Sequence, residues 1–114
     1  MGKLAVGSVV LVSFPFSNLK GRKLRPAMIL AMVEFDNLIL CQITSKPYSS
    51  KNSIEIKKSD FVSSSLPITS FVRPDKLFTA DLTIIRGEVG KLKKSVKSTI
   101  LRKVCNLFSE HDEK

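Results

Sequence analysis

A chain of 114 residues, 43% apolar and 25% charged, is long enough for one hydrophobic core that needs no disulfide or metal staple, which excludes the disordered and cysteine-scaffold classes. Nineteen Lys and Arg against ten Asp and Glu leave a net charge of +9, so the surface favours polyanionic partners. No apolar run is long enough to span a membrane as a helix.

Lys3 followed by apolar Leu4–Val12 only superficially resembles a secretory signal, because Gly7-Ser8 interrupts it and no small-residue cleavage site follows. Val6 stands where an N-myristoylation signal needs Ser or Thr. The stretch Ser8–Phe14 reads instead as a buried strand closed by Pro15. Pro15–Leu24 is a polar, basic loop. Pro26–Phe35 and Leu38–Ser45 are apolar runs on either side of Asp36-Asn37, the pattern of a β-hairpin with a two-residue turn. A second polar loop covers Lys46–Asn52, and Ser53–Lys57 alternates like a half-buried strand. Lys58–Ser65 reads as a turn with a short helical piece. Two strands are expected around Pro74-Asp75, at Ile68–Arg73 and Lys76–Ala80, and a further one at Ile84–Val89, closed by Gly90.

The period changes at the C-terminus. Val96, Ile100, Val104 and Leu107-Phe108 recur at helical spacing, with Ser95 placed to cap the start, so an amphipathic helix of about three to four turns is expected. Ser109–Lys114 reads as a frayed tail. No repeat or linker divides the chain, and residues 1–114 are read as a single domain. The pattern predicts a mainly β protein with a C-terminal helix, its five or six short antiparallel strands forming a small barrel. Cys41 and Cys105 lie in apolar sequence and outside any C-x-x-C pair, as buried thiols in a reducing cytosol would.

The basic residues are clustered. Lys20, Arg22, Lys23 and Arg25 fall on the first loop and its exit; Lys46, Lys51, Lys57 and Lys58 fall on and after the second. Lys91, Lys93, Lys94, Lys97, Arg102 and Lys103 flank and line the helix, where a solvated face explains them. The loop groups neighbour Phe14, Phe16 and Tyr48, a mixture suited to single-stranded nucleic acid, with cations on phosphates and aromatics on bases.

The residue inventory narrows the chemistry. His111 is the only histidine and lies in the tail, so neither a histidine acid–base pair nor a Ser-His-Asp triad is possible. No zinc-ligand spacing, phosphate-binding Gly-rich loop or magnesium-holding carboxylate pair is present, and no metal or cofactor is expected. An enzyme built from this inventory relies on Arg, Thr, Asp and Lys. RNA suits it, since the 2′-hydroxyl supplies the nucleophile and the protein need only align groups, neutralise charge and move a proton.

Gly7–Phe14, a polar basic loop, Arg25-Pro26-Ala27-Met28-Ile29-Leu30, Gln42-Ile43-Thr44-Ser45 and Ser70–Leu77 together resemble the MazF/PemK family of toxin–antitoxin ribonuclease toxins. The resemblance covers most of the chain. It implies an SH3-like barrel of the kind shared with CcdB, a cytoplasmic homodimer, and metal-independent cleavage of single-stranded RNA. It also implies a cognate antitoxin with an acidic, flexible segment. Carried over, Arg25 matches the catalytic arginine and Thr44 the catalytic threonine, both directed at the scissile phosphate; Arg73 and Asp75 align with a basic–acidic pair, Asp75 as base and Arg73 as acid or phosphate clamp. Phe16, Lys20, Arg22, Lys23, Ser45, Lys46 and Tyr48 are the candidate RNA contacts. The chain departs from the family at Pro15–Asn18, where many members carry Asp-Pro, and at Leu77–Asp81, which only loosely matches Arg-Thr-Ile-Asp. A gyrase-binding toxin like CcdB and a basic barrel that binds nucleic acid without cutting it are the alternatives.

Overall fold

A computed structural model of the protein describes residues 4–15, 22–46 and 50–109. Phe16, Lys20, Tyr48 and His111 lie outside the described residues.

The strands are β1 (Ser8–Pro15), β2 (Arg22–Val33), β3 (Asn37–Thr44), β4 (Ile54–Ile56), β5 (Ser70–Asp81) and β6 (Ile85–Lys91), followed by helix α1 (Lys94–Ser109). They form one antiparallel sheet in the order β4-β5-β3-β2-β1-β6. The expected mainly β fold with a C-terminal helix is present, but the sheet is not closed into a barrel. Among the described residues, its two edges approach through the segments that follow β4 and β6. There Phe61 and Leu92 form an isolated bridge, Val62 N–H donates to Lys91 C=O at 2.8 Å and Lys93 N–H to Asp60 C=O at 2.9 Å. Gly90 permits this approach: a Cβ there would lie 2.9 Å from the Ser63 carbonyl oxygen and 3.0 Å from the Phe61 ring.

Several boundaries differ from expectation for local reasons. The first loop is shorter, because Arg22, Lys23 and Leu24 pair with Pro15, Phe14 and Ser13. The β2–β3 turn has Phe35 and Asp36 at its centre, at φ 62° and 58°, one residue before the predicted Asp36-Asn37; Asn37 N–H donates to Glu34 C=O at 3.3 Å. The two strands expected around Pro74 are one, β5, with a bulge: Cys41 pairs with Leu77 and Gln42 with Arg73, so residues 74–76 drop out of the ladder. A bulge tolerates a residue without N–H, and Pro74 is fully buried in it. Lys58–Asp60 form the short 3₁₀ turn expected after β4. Ser95 does not cap α1, which already begins at Lys94.

Strand alternation gives the sheet two buried faces. Val9, Met28, Leu30, Cys41, Ile43 and Val72 point to one, where Ile100 and Val104 of α1 pack with Ile56, Phe61, Leu66 and Leu92. Val10, Val12, Ala27, Ile29, Leu38, Leu40 and Ala80 point to the other. The connection from β5 to β6 crosses this second face, because β5 borders β3 whereas β6 borders β1. It carries a 3₁₀ turn, Leu82–Ile84, whose Leu82 N–H donates to Asp36 C=O at 2.9 Å, and Ile84 and Ile85 pack on the face. Cys41 is buried as expected, and burial pushes its thiol up to about 12. Cys105 is exposed instead, because it follows Val104 by one residue and so turns off the Ile100–Val104 stripe.

Candidate active site and nucleic-acid interface

The face crossed by the β5–β6 connection does not stay apolar along its whole length. On β3, Leu38 and Leu40 point into it, so Gln42 and Thr44 continue the same face. On β2, Ala27 and Ile29 do so, which places Arg25 there as well. On β5, Val72 faces the helix side and Arg73 the opposite side. Cross-strand register assembles these positions. Ala27 pairs with Gln42, and Gln42 with Arg73; two residues further along, past the last β2–β3 pair, lie Arg25 on β2 and Thr44 on β3, the latter paired with Phe71. Two adjacent rows therefore carry Arg25, Thr44, Gln42 and Arg73, all half-buried, at one end of β2, β3 and β5.

The β2–β3 ladder stops at Ala27–Gln42, and Pro26 has no N–H to carry it further. Where the strands diverge lies a cavity of about 460 Å³. Lys23, Arg25, Thr44, Ser45 and Lys46 line it together with Leu11, Leu24, Pro26, Ile43, Leu66, Pro67, Ile68 and Ser70. Five predicted site residues thus meet at one place. The Lys46 N–H donates to Thr44 Oγ1 at 3.1 Å. That bond uses the acceptor side of the hydroxyl and leaves its O–H to donate outward.

Arg73 and Asp75 stand one strand away and do not line the cavity. Their side chains form an ion pair at 3.6 Å, both about one-third exposed, across the bulge that Pro74 anchors. Arg22 opens β2. Predicted contacts Phe16, Lys20 and Tyr48 fall on segments that are not described. The basic residues of α1 lie on an element that packs against the helix-side core through Ile100 and Val104.

Gln42 is the residue that sequence reasoning passed over. The alternation Leu38–Leu40–Gln42–Thr44 already set it on the face of Thr44, two residues away. Leu66–Ile68 carried no comparable signal, since only tertiary structure brings that segment to the cavity.

Cations line the mouth, and among the described residues no group of three or more His, Cys, Asp or Glu could hold a metal ion. An Arg fork beside an outward-donating hydroxyl suits the non-bridging oxygens of a phosphodiester.

The architecture is shared with solved toxin structures. A MazE–MazF complex from Deinococcus radiodurans superposes with a TM-score of 0.76 at 17% identity, covering 96% of this chain and 98% of the other. An endoribonuclease in complex with its cognate antitoxin from a mycobacterial species gives 0.74 at 13% identity, covering 94% and 96%. The Mycobacterium tuberculosis toxin MazF-mt6 gives 0.65 at 18% identity, covering 88% and 96%. No curated protein matches the sequence. Residues 5–108 match the family of PemK-like, MazF-like toxins of type II toxin–antitoxin systems, and the chain belongs to that family.

Proposed function

We propose that the protein is the endoribonuclease toxin of a toxin–antitoxin pair and cleaves single-stranded RNA without a metal. The observation that carries this reading is the cavity at the open end of the β2–β3 ladder, which Arg25 and Thr44 line together with Lys23 and Lys46. Family membership supports it, as do solved structures of the same fold described as endoribonucleases.

In this reading Arg25 binds the two non-bridging oxygens of the scissile phosphate and neutralises the charge that grows there as the 2′-oxygen attacks. Thr44 donates its O–H to the same phosphate. The O2′–P bond forms as the P–O5′ bond breaks; Asp75 takes the 2′-hydroxyl proton, and solvent protonates the departing 5′-oxygen. Arg73 holds Asp75 and clamps the phosphate from the neighbouring row. The products are a 2′,3′-cyclic phosphate and a 5′-hydroxyl. Lys23, Lys46 and Ser45, with Phe16, Lys20, Arg22 and Tyr48, contact the flanking nucleotides. A cognate antitoxin with an acidic segment competes for this cationic mouth, the toxin pairs with a second copy of itself, and both act in the cytoplasm. No helix among the described residues is long and apolar enough to cross a membrane.

The test is incubation with single-stranded RNA in EDTA, with end-group analysis of the fragments. Fragments ending in cyclic phosphate are expected, and Arg25→Ala should abolish them while leaving the thermal midpoint in place. A requirement for magnesium, or gyrase inhibition with RNA left intact, would overturn the reading.

A further inference from the structure

The cavity at the fork has a second half that phosphate chemistry does not use. Leu11, Leu24, Pro26, Ile43 and Ser70 share the helix-side face by alternation, and Leu66 belongs to the same buried cluster. They give the cavity an apolar floor. Its lip is also apolar: Leu24 is 49% and Ile68 59% exposed. Large aliphatic side chains left this open beside a cavity, with cations next to them, form an amphipathic recess. The Ser70 hydroxyl is already committed, donating to Ile68 C=O at 3.0 Å, and the Thr44 oxygen accepts from Lys46 N–H. The floor of the recess therefore offers apolar contact surface, and the free polar groups, including the Thr44 O–H, Ser45 and the cations, stand at its edge.

We infer that this recess takes one nucleobase of the RNA, the base adjoining the scissile phosphate, inserted between Leu24 and Ile68 onto the Pro26–Ile43 floor. The inference rests on the ribonuclease reading and deepens it. Charge complementarity favours the occupant: Lys23, Arg25 and Lys46 edge the recess, so it fits a ligand with anionic groups right beside an uncharged one, as in a nucleotide. A base held mainly by apolar contact is recognised by its presence and size more than by its edge. This subsite therefore demands a base without strictly specifying which.

The experiment couples a protein change to an RNA change. The substrate is an RNA oligonucleotide with a mapped cleavage position, intact or with an abasic nucleotide on one side of that position. Ile68→Asp and Leu24→Ser alter exposed side chains, and Ile68→Leu serves as the conservative control. On intact RNA, Ile68→Asp and Leu24→Ser should raise KM by on the order of tenfold, the loss of one side chain's apolar burial, with kcat near the parent value and Ile68→Leu close to the parent in KM. The abasic substrate should cost the parent protein a similar factor. Combining variant and abasic substrate should cost no more than either alone, since both remove one interaction. Losses that multiply, or a KM that neither variant moves, would overturn the inference while leaving the ribonuclease reading intact. A parent protein that cuts no RNA would sink the ribonuclease reading; the recess is then judged by binding of RNA carrying 2-aminopurine. A rise in fluorescence on binding that is absent from Ile68→Asp upholds it, and no rise overturns it. Variants that bind RNA normally but lose an acidic peptide would overturn it too, assigning the recess to a protein partner.

Discussion

The two ends of one sheet face make the most instructive contrast in this molecule. At one end, Val10, Val12, Ala27, Ile29, Leu38, Leu40 and Ala80 are sealed beneath the β5–β6 connection. At the other end the same strands, on the same face, carry Arg25, Gln42, Thr44 and Arg73. Only one step of the alternation separates Ala27 from Arg25 and Leu40 from Gln42. Strand geometry decides which side a residue faces, and the crossing connection decides whether that side is core or site. Each end should therefore respond to substitution in its own currency: stability where it is covered, catalysis where it is open.

Leu40→Ala tests the covered end and carries the largest expected effect. Leu40 is fully buried, so truncation should cost about 2–5 kcal/mol of stability by loss of transfer free energy and formation of a cavity. Chemical denaturation should report that loss, while turnover per folded molecule stays at the parent value. A comparable drop in turnover would mean that the two ends are mechanically one unit.

Thr44→Ala tests the open end. A hydrogen bond to a charged phosphate is worth about 1.5–3 kcal/mol, so single-turnover cleavage should fall roughly ten- to a hundredfold with an unchanged denaturation midpoint. Thr44→Ser retains the hydroxyl and should recover most of the rate. If serine is as slow as alanine, the methyl group and its packing matter, and the proposed donation to phosphate fails.

Thiol labelling sharpens the same contrast between covered and open positions. Cys41, buried and held at about 12, should stay unmodified by a thiol reagent at neutral pH, because the reactive thiolate is scarce and the sulfur inaccessible. Cys105 is exposed and should react stoichiometrically in the native protein. Mass spectrometry should find one adduct per chain before unfolding and two after. Two adducts in the native state would show that the helix-side core opens readily.

How much of this was legible beforehand follows from the range of each signal. Alternation and turn residues mark strands locally, so β1, the β2–β3 hairpin and β4 could be read directly, as could α1 from its Ile100–Val104 spacing. Pro74 splits a strand pattern in sequence, yet β5 runs through it because the bulge removes the need for its N–H. Cys105 misleads because sequence neighbours Val104 and Leu107 are apolar, whereas the helix rotates it off their stripe. The candidate site was legible as a family resemblance but not as geometry: Arg25 and Thr44 line one cavity only because long-range pairing brings β2 beside β3. Nothing local announces that Leu66–Ile68 returns to line the cavity, and nothing in a strand pattern reveals that the sheet stays open.

The smallest effect probes the cover itself. Asp81 caps the 3₁₀ turn of the crossing connection, its Oδ1 accepting from Thr83 N–H at 2.8 Å, and this bond holds the carboxyl below the ordinary 3.8. A depressed folded-state value means that the charged form is favoured by folding. Its contribution is full above the unfolded value and disappears as pH falls through the lower, folded one. The thermal midpoint of the parent should therefore exceed that of Asp81→Ala by a small, constant margin from neutral pH down to about 4, and the margin should shrink below that. Cleavage at neutral pH should be the same in both proteins, because the capped turn lies over the apolar end and not over Arg25. A margin that does not vary with pH would assign the stabilisation to the side chain's shape rather than its charge. A change in cleavage would tie the connection to the open end, and so remove the independence that the contrast between the two ends predicts.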